Sequence, residues 1–186
     1  MKLIVLAALA AGIAAPAIAG PFDGATVHTK YLFSDQGSTY QDFGDTTVSG
    51  DTLLASSLGD VGGVDLHANG SNLNVTFNQG FDGDVWTSAS FNGFVVFDDT
   101  NSLAAITGVS INGSTTLGGF DNSRITFDAD HIFVNWQGLT FNNGDVLSLS
   151  ANTGAVPEPA SWALMLGGFG LVGGAMRSRK AAVRFA

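Results

Sequence analysis

Short segments in the middle of the chain alternate apolar and polar residues, and each segment is bounded by Gly, Asn or Asp. The alternating segments cover residues 26–33, 64–68, 73–77, 109–111, 125–127 and 132–135, and two further apolar runs cover 91–97 and 146–149. Alternation with a period of two is typical of a half-buried β-strand, and no window of eleven residues shows the helical period. The pattern predicts an all-β domain with roughly eight to ten strands.

The spacing of these segments indicates how the strands are arranged. They recur about every 8 to 12 residues with turn residues between them, which is typical of an antiparallel β-sandwich or jelly-roll-like fold. Asp128-Ala129-Asp130 has the length of a hairpin loop, and Asn143-Gly144 favours a positive φ before the last strand. We expect one such domain over residues 20–155, with aromatic side chains filling the space between its sheets.

Charge and cysteine content narrow the class of protein. The segment 20–155 contains fifteen Asp against Lys30 and Arg124, which gives a net charge of −13. Nucleic-acid binding needs clustered Lys and Arg, so the sequence predicts no nucleic-acid partner. The chain has no Cys, so no disulfide framework supports the domain and its core must hold it together.

The first nineteen residues have the three parts of a secretory signal peptide. Lys2 supplies a positive charge, residues 3–15 form an uncharged apolar run, and Ala17-Ile18-Ala19 has the small-x-small pattern that signal peptidase recognises. We expect cleavage after Ala19. Pro16 and the shortness of the apolar run argue against the alternative, which is an N-terminal anchor helix.

The C-terminal segment also has three parts. Pro157-Glu158-Pro159 is rigid and extended, residues 160–176 carry no charge, and Arg177, Arg179 and Lys180 follow. We expect a transmembrane helix over 160–176, about 25 Å long, with a cytoplasmic tail at 181–186. Its five glycines indicate an easily unwound segment or, as an alternative, a helix-pairing face at Gly170 and Gly174.

Val156-Pro157-Glu158-Pro159-Ala160-Ser161-Trp162-Ala163, followed by the apolar stretch and the basic cluster, resembles the PEP-CTERM family of sorting domains in its PEPxxWA variety. The resemblance covers residues 156–180. It implies recognition by an exosortase, a membrane transpeptidase-like enzyme that cuts near Pro157, Glu158 and Pro159, and delivery to the envelope exterior or exopolysaccharide matrix. Trp162, Arg177, Arg179 and Lys180 would complete the sorting motif. A plain single-pass anchor is the alternative, because hydrophobicity and flanking charge alone suffice for one.

Paired carboxylates on three predicted loops are weak candidates for a Ca²⁺ site, since Ca²⁺ selects hard oxygen ligands. The candidate ligands are Asp82 and Asp84, Asp98 and Asp99, and Asp128 and Asp130. None of the loops has the spacing of an EF-hand, and Asp is also a common turn residue. We therefore expect no cofactor, with Ca²⁺ as the alternative.

The central domain shows no motif for catalysis, so we expect it not to be an enzyme. It lacks a nucleophile elbow and a Cys nucleophile, and its scattered Asp residues do not single out a catalytic pair. The leading hypothesis is an exported structural or adhesive protein of the surface or matrix. The alternative is an exopolysaccharide-binding module with an exposed Trp86 or Trp136 as the stacking platform, and a secreted glycosidase is the third hypothesis.

Overall fold

The computed structural model describes residues 20–57, 63–78, 82–154 and 159–177. The two predicted recognition residues of signal peptidase, Ala17 and Ala19, lie outside these ranges, as do Pro157, Glu158, Arg179 and Lys180. The strands are β1 (Thr26–Ser34), β2 (Thr39–Thr47), β3 (Thr52–Ser56), β4 (Val64–Asn69), β5 (Asn72–Phe77), β6 (Asp84–Val85), β7 (Phe91–Phe97), β8 (Ile106–Ile111), β9 (Ile125–Phe127), β10 (His131–Asn135), β11 (Thr140–Phe141) and β12 (Val146–Thr153). A 3₁₀ turn (Asn122–Arg124) precedes β9, and the helix α1 (Pro159–Arg177) follows the strands.

Two antiparallel five-stranded sheets make up most of the described fold. The first has the order β2-β1-β7-β10-β9, the second has the order β3-β4-β5-β12-β8, and β11 pairs with β6 in a small third sheet. One apolar cluster contains Val27 and Phe94 of the first sheet together with Leu66 and Leu147 of the second. The two sheets therefore pack face to face, and the predicted all-β antiparallel fold is confirmed.

Alternation along β1 and β7 gives the first sheet a second, smaller apolar cluster on its outer face. Tyr31 belongs to the inner core, whereas its neighbour Leu32 packs with Phe91 and Val95. Successive side chains of a strand point to opposite faces, so this cluster lies on the side away from the second sheet. Not every aromatic residue therefore fills the inter-sheet space as predicted, and Phe127 is 43% exposed.

Close contact between β7 and β10 depends on a glycine. Gly93 lies opposite Asn135 in this pair, and a Cβ atom placed on Gly93 would approach the carbonyl oxygen of Val134 to 1.8 Å. No side chain fits in this space unless the backbone moves. Glycine at position 93 thus allows β7 and its neighbour β10 to lie close together.

All eight predicted segments lie in strands, but β2, β3 and the short pair β6 and β11 were not predicted. β2 has the sequence TYQDFGDTT, and its side chains are exposed or only partly buried. An edge strand has one free side and needs little apolar surface, so its sequence carries a weak periodic signal. The missed strands β2 and β3 are both edge strands.

The C-terminal helix α1 covers the predicted range and extends it by one residue at each end. It begins at Pro159, which suits the first turn of a helix, and ends at Arg177, whose charge is favourable at a helix C-terminus. Within the described residues, no helix combines the length and the hydropathy that crossing a membrane requires. The predicted helix is confirmed, but its predicted transmembrane character is not.

Candidate functional site

Two of the three predicted carboxylate loops meet at one end of the first sheet. The backbone N–H of Asp98 donates to the carbonyl oxygen of Asp130 at 3.0 Å, which continues the pairing of β7 with β10. The third loop lies at β6, where Asp82 accepts a hydrogen bond from the backbone N–H of Asn143 at 2.9 Å. The six predicted Ca²⁺ ligands therefore belong to at least two separate places in the fold.

The carboxylate of Asp98 accepts hydrogen bonds from residues of the loop that follows β7. The donors are the backbone N–H of Thr100 at 2.9 Å, the hydroxyl of Thr100 at 2.8 Å and the backbone N–H of Leu103 at 2.5 Å. Burial acts to raise the pKa of Asp98, but these hydrogen bonds outweigh it and leave the pKa below its ordinary value. The donors that hold Asp98 belong to the chain itself, as in a turn-forming Asp.

Asp128 has the same role in the turn between β9 and β10. Its Oδ1 accepts from the backbone N–H of Asp130 at 2.9 Å and of His131 at 2.8 Å, and it also lies 2.9 Å from Nδ1 of His131. The hydrogen bond from Asp130 is the main cause that lowers the pKa of Asp128. The predicted hairpin loop at 128–130 is thus present, and its first Asp stabilises it.

Asp99 lies near a histidine that sequence analysis did not single out. Ligand atoms of His28, Asp45 and Asp99 lie within 4.8 Å of one another. Both ring nitrogens of His28 already contact carboxylates, with Nδ1 2.6 Å from Asp45 Oδ1 and Nε2 2.7 Å from Asp42 Oδ1. Ca²⁺ takes six to eight oxygen ligands, so one imidazole with two carboxylates is not the set that it selects. The arrangement is that of a histidine held between carboxylates.

Both tryptophans of the domain are buried, as expected for aromatic side chains that fill the space between the sheets, and contrary to the alternative of an exposed platform. Trp136 is fully buried and Trp86 is 6% exposed, because both indoles pack against Phe77 in the inter-sheet core. The indole N–H of Trp136 donates to the Tyr31 hydroxyl at 3.0 Å, and that hydroxyl donates to Oδ1 of Asn92. Asn92 in turn donates through Nδ2 to the carbonyl oxygen of Thr87 at 2.9 Å. Trp136 is therefore part of the scaffold.

Burial also acts on the hydroxyl at the centre of this hydrogen-bonded chain. It raises the pKa of Tyr31 well above its ordinary value, although the hydrogen bond from Trp136 opposes the shift. The phenol therefore stays neutral and keeps the proton that it donates to Asn92. A buried polar chain of this kind is stabilising only while each member has its partner.

A cavity of about 260 Å³ opens beside these residues, and we call it the Trp86 cavity. Its lining residues are Tyr31 and Phe33 of β1, Tyr40 of β2, Trp86 and Thr87 after β6, and Asn92 of β7. The Tyr40 ring is 52% exposed and meets the rings of Tyr31 and Phe33 edge-on, with centroids 6.2 and 6.4 Å apart. The cavity thus has aromatic walls and reaches solvent at Tyr40.

One polar atom of the Trp86 side chain has no hydrogen-bond partner among the described residues. The indole Nε1 of Trp86 is buried and makes no hydrogen bond to any residue that the structure describes. Trp86 is fixed by its backbone, which donates to Leu139 and accepts from Gly138, both at 2.9 Å. Sequence analysis identified Trp86, but it did not identify Tyr40, Phe33 or Asn92. The available signal for Phe33 was its spacing of two from Tyr31 in a predicted strand, which places both rings on one face. Tyr40 lies in β2, whose sequence has no clear period.

The helix α1 presents apolar side chains to solvent. Met165, Leu166, Phe169 and Leu171 are each more than half exposed. A scan against protein-family models matches residues 155–180 to the PEP-CTERM protein-sorting motif. Residues 155–180 are a PEP-CTERM sorting motif. The PEP-CTERM motif implies that the chain is an exported, membrane-associated protein and that an exosortase is its processing partner.

Comparisons of the chain with curated proteins and with solved structures find no match. The PEP-CTERM match covers Pro157, Glu158, Pro159 and Trp162, and it also includes the basic residues Arg177, Arg179 and Lys180. It begins directly after the β-domain, whose last strand ends at Thr153. The sorting motif and the β-domain therefore occupy separate, consecutive parts of the chain.

Proposed function

We propose that the chain is a precursor whose β-domain is delivered to the cell surface or extracellular matrix as a structural or adhesive component. The observation that supports this role is the position of the sorting motif after the last strand. β12 lies between β5 and β8 in the second sheet and ends at Thr153, and the N–H of Gly154 donates to Ala105 at 3.0 Å. A cut near Pro157–Pro159 removes no strand, so the released domain keeps its fold.

The proposal assigns distinct tasks to the two ends. Signal peptidase cleaves after Ala19, and the exosortase recognises the PEPxxWA variety of the motif, which includes Trp162. The helix α1 serves as a provisional membrane contact, which is supported by the exposure of Leu166 and Leu171. The basic residues at its end stay on the cytoplasmic side because clustered Lys and Arg resist translocation.

The test compares cells with and without an exosortase and follows the size and location of the protein. We expect a larger, membrane-associated form to accumulate without the enzyme, and a shorter form to reach the exterior when it is present. A triple change at Arg177, Arg179 and Lys180 to Ala should also impair processing. Arg184→Ala is the matched control, since this basic residue lies outside the matched range. Equal size and location in both strains would refute the sorting role.

Carbohydrate binding is the second candidate function, and the Trp86 cavity is the observation that favours it. The version with an exposed indole platform is not retained, because Trp86 and Trp136 are buried in the core. A glycosidase has less support, since the lining of the Trp86 cavity contains no carboxyl group and hydrolysis requires a pair of them. We assign the domain no catalytic role.

A further inference from the structure

The residues that follow the proposed signal-peptidase site are built into the β-domain. Phe22 is fully buried and belongs to the inter-sheet core. Its backbone N–H donates at 3.0 Å to the carbonyl oxygen of Gly70, in the turn between β4 and β5. The N–H of Gly24 donates at 2.9 Å to the carbonyl oxygen of Val48, directly after β2. The segment 20–25 therefore joins the end of an edge strand of the first sheet to a hairpin of the second.

Gly20 lies against main chain and has no room for a side chain. A Cβ atom placed on Gly20 would lie 2.0 Å from the carbonyl carbon of Gly70 and 2.4 Å from its Cα. Carbon atoms that are not bonded to each other pack at about 3.5–4.0 Å and repel at such short separations. Because the atoms that the Cβ meets belong to the backbone, no side-chain rotation relieves the contact. The fold therefore holds the residue after Ala19 directly against the turn between β4 and β5.

The backbone nitrogen of Gly20 faces a carboxylate. It donates a hydrogen bond to Oδ2 of Asp23 at 2.9 Å, and the carbonyl oxygen of Gly20 accepts one from the N–H of Asp23 at 3.0 Å. Residues 69–72 of the neighbouring turn have no ionisable side chain. Asp23 is therefore the charged group that these contacts bring to the nitrogen of Gly20.

Cleavage after Ala19 changes the chemistry of this nitrogen. Hydrolysis of the Ala19–Gly20 bond consumes one water and leaves a carboxylate on Ala19 and an amine on Gly20, which carries a proton below about pH 8. A neutral amide with one N–H thus becomes an ammonium with three N–H groups beside Asp23. Hydrogen bonds between charged groups are stronger than those between neutral groups, although solvent reduces the gain at an exposed pair.

We propose that Asp23 and the backbone of Gly70 form a docking site for the new amino terminus that signal peptidase creates at Gly20. The ammonium pairs with the Asp23 carboxylate, Gly20 packs on Gly70, and Phe22 fills the core. Removal of the signal peptide therefore makes the β-domain more stable than it is in the precursor. The inference rests on the proposed cleavage after Ala19 and goes beyond it, because it gives the new terminus a structural partner.

The test compares two purified proteins that differ only at the N-terminus. One begins at Gly20 and the other at Ala17, both continue to Ala186, and each is released from a cleavable tag that leaves no added residue. We expect the protein that begins at Gly20 to melt roughly 1–3 °C higher at about pH 6.

The pH dependence identifies the ammonium as the cause. A carboxylate partner raises the pKa of an ammonium in the folded state, so its contribution is complete below about pH 8 and is lost as the pH rises through the folded pKa. The difference in melting temperature between the two proteins should therefore disappear at about pH 10.

A substitution at Asp23 locates the partner. Asp23→Asn removes the negative charge and should make the two proteins melt at the same temperature. Asp130→Asn is the matched control, because it removes an exposed carboxylate from the turn between β9 and β10 and should leave the difference intact.

A substitution at Gly20 tests the packing on Gly70. In Gly20→Ala the Cβ meets the main chain, so the melting temperature of the protein that begins at residue 20 should fall by roughly 3–10 °C. Gly113→Ala is the matched control, since a Cβ at that position has open space, and should change the melting temperature by less than about 2 °C.

Several results would overturn the proposal. Equal melting temperatures at about pH 6 would do so, as would a difference that persists in Asp23→Asn or at about pH 10. Unaltered stability of Gly20→Ala would reject the packing on Gly70. N-terminal sequencing of the exported protein tests the cleavage separately, and a terminus other than Gly20 would overturn the cleavage and this role together. Failure of the docking alone leaves the cleavage and exosortase-dependent sorting intact.

Discussion

Removing the Tyr31 hydroxyl should destabilise the domain far more than the size of the change suggests. In Tyr31→Phe the indole N–H of Trp136 loses its acceptor and Oδ1 of Asn92 loses its donor. All three side chains are at most 3% exposed, namely those of Tyr31, Asn92 and Trp136. The two polar groups that lose a partner therefore stay buried in the core without one. The ring itself is kept, so the change tests the hydrogen bonds rather than the packing.

The magnitude follows from the two lost partners. Each buried group left unsatisfied costs about 1–3 kcal/mol, so the two together give about 2–6 kcal/mol. Tyr31 and Asn92 also line the Trp86 cavity, where water can hydrogen-bond to Asn92. Such a water would lower the free-energy cost of the partner that Asn92 loses. We therefore expect the free energy of unfolding to fall by about 2–3 kcal/mol.

Urea denaturation of the purified protein measures this loss as a lower midpoint at unchanged slope. Tyr40→Phe is the matched control, since it makes the same chemical change on a half-exposed ring, and should alter the free energy of unfolding by less than about 0.5 kcal/mol. A loss below about 0.5 kcal/mol for Tyr31→Phe would show that the hydrogen-bonded chain through Tyr31 does not stabilise the core.

Three further predictions concern stability. The folded pKa of Asp98 and of Asp128 lies below the ordinary value of 3.8, so the unfolded chain takes up protons first. The stability that these two carboxylates contribute is complete above about pH 4 and is lost as the pH falls through their folded pKa values. The melting temperature should therefore fall as the pH is lowered below about 4. In Asp98→Asn this dependence of the melting temperature on pH should be weaker. EDTA should leave the melting temperature unchanged, because chain donors already hold Asp98 and Asp128, and a clear decrease would support the Ca²⁺ alternative. Gly93→Ala should cost about 1–3 kcal/mol in urea denaturation, since its Cβ meets the Val134 carbonyl, and unaltered stability would contradict the close approach of β7 and β10.

The residues that line the Trp86 cavity could be predicted only in part, for a reason visible in β2. The aromatic residues Tyr31 and Phe33 lie in a segment whose alternation predicts a strand, whereas Tyr40 lies in an exposed edge strand with no clear period. Without β2, nothing indicates that Tyr40 meets Tyr31 and Phe33. Trp86 was named as an exposed platform only in the alternative hypothesis, and its burial depends on contacts with Phe77, Trp136 and Phe141, which are distant in sequence or not predictable from it.

The role of the predicted Ca²⁺-ligand carboxylates could also not be decided from the sequence alone. Asp98 and Asp128 are equally suited by type to bind Ca²⁺ or to close a turn. The choice rests on which donors reach each carboxylate, and the backbone N–H groups of Thr100, Leu103 and Asp130 do so. Part of that information is local, but the position of Leu103 five residues beyond Asp98 depends on how the loop folds.

The sequence by itself determined the sorting motif and most of the strands, because both are encoded in neighbouring residues. An exosortase motif is a short linear pattern, and a strand is marked by alternation over a few positions. Only the tertiary structure decided that the Tyr31 hydroxyl is hydrogen-bonded to Trp136, 105 residues away, and to Asn92, 61 residues away. The Trp86 cavity exists because β1, β2, β7 and the segment after β6 meet in space, and no local pattern in the sequence indicates that they do.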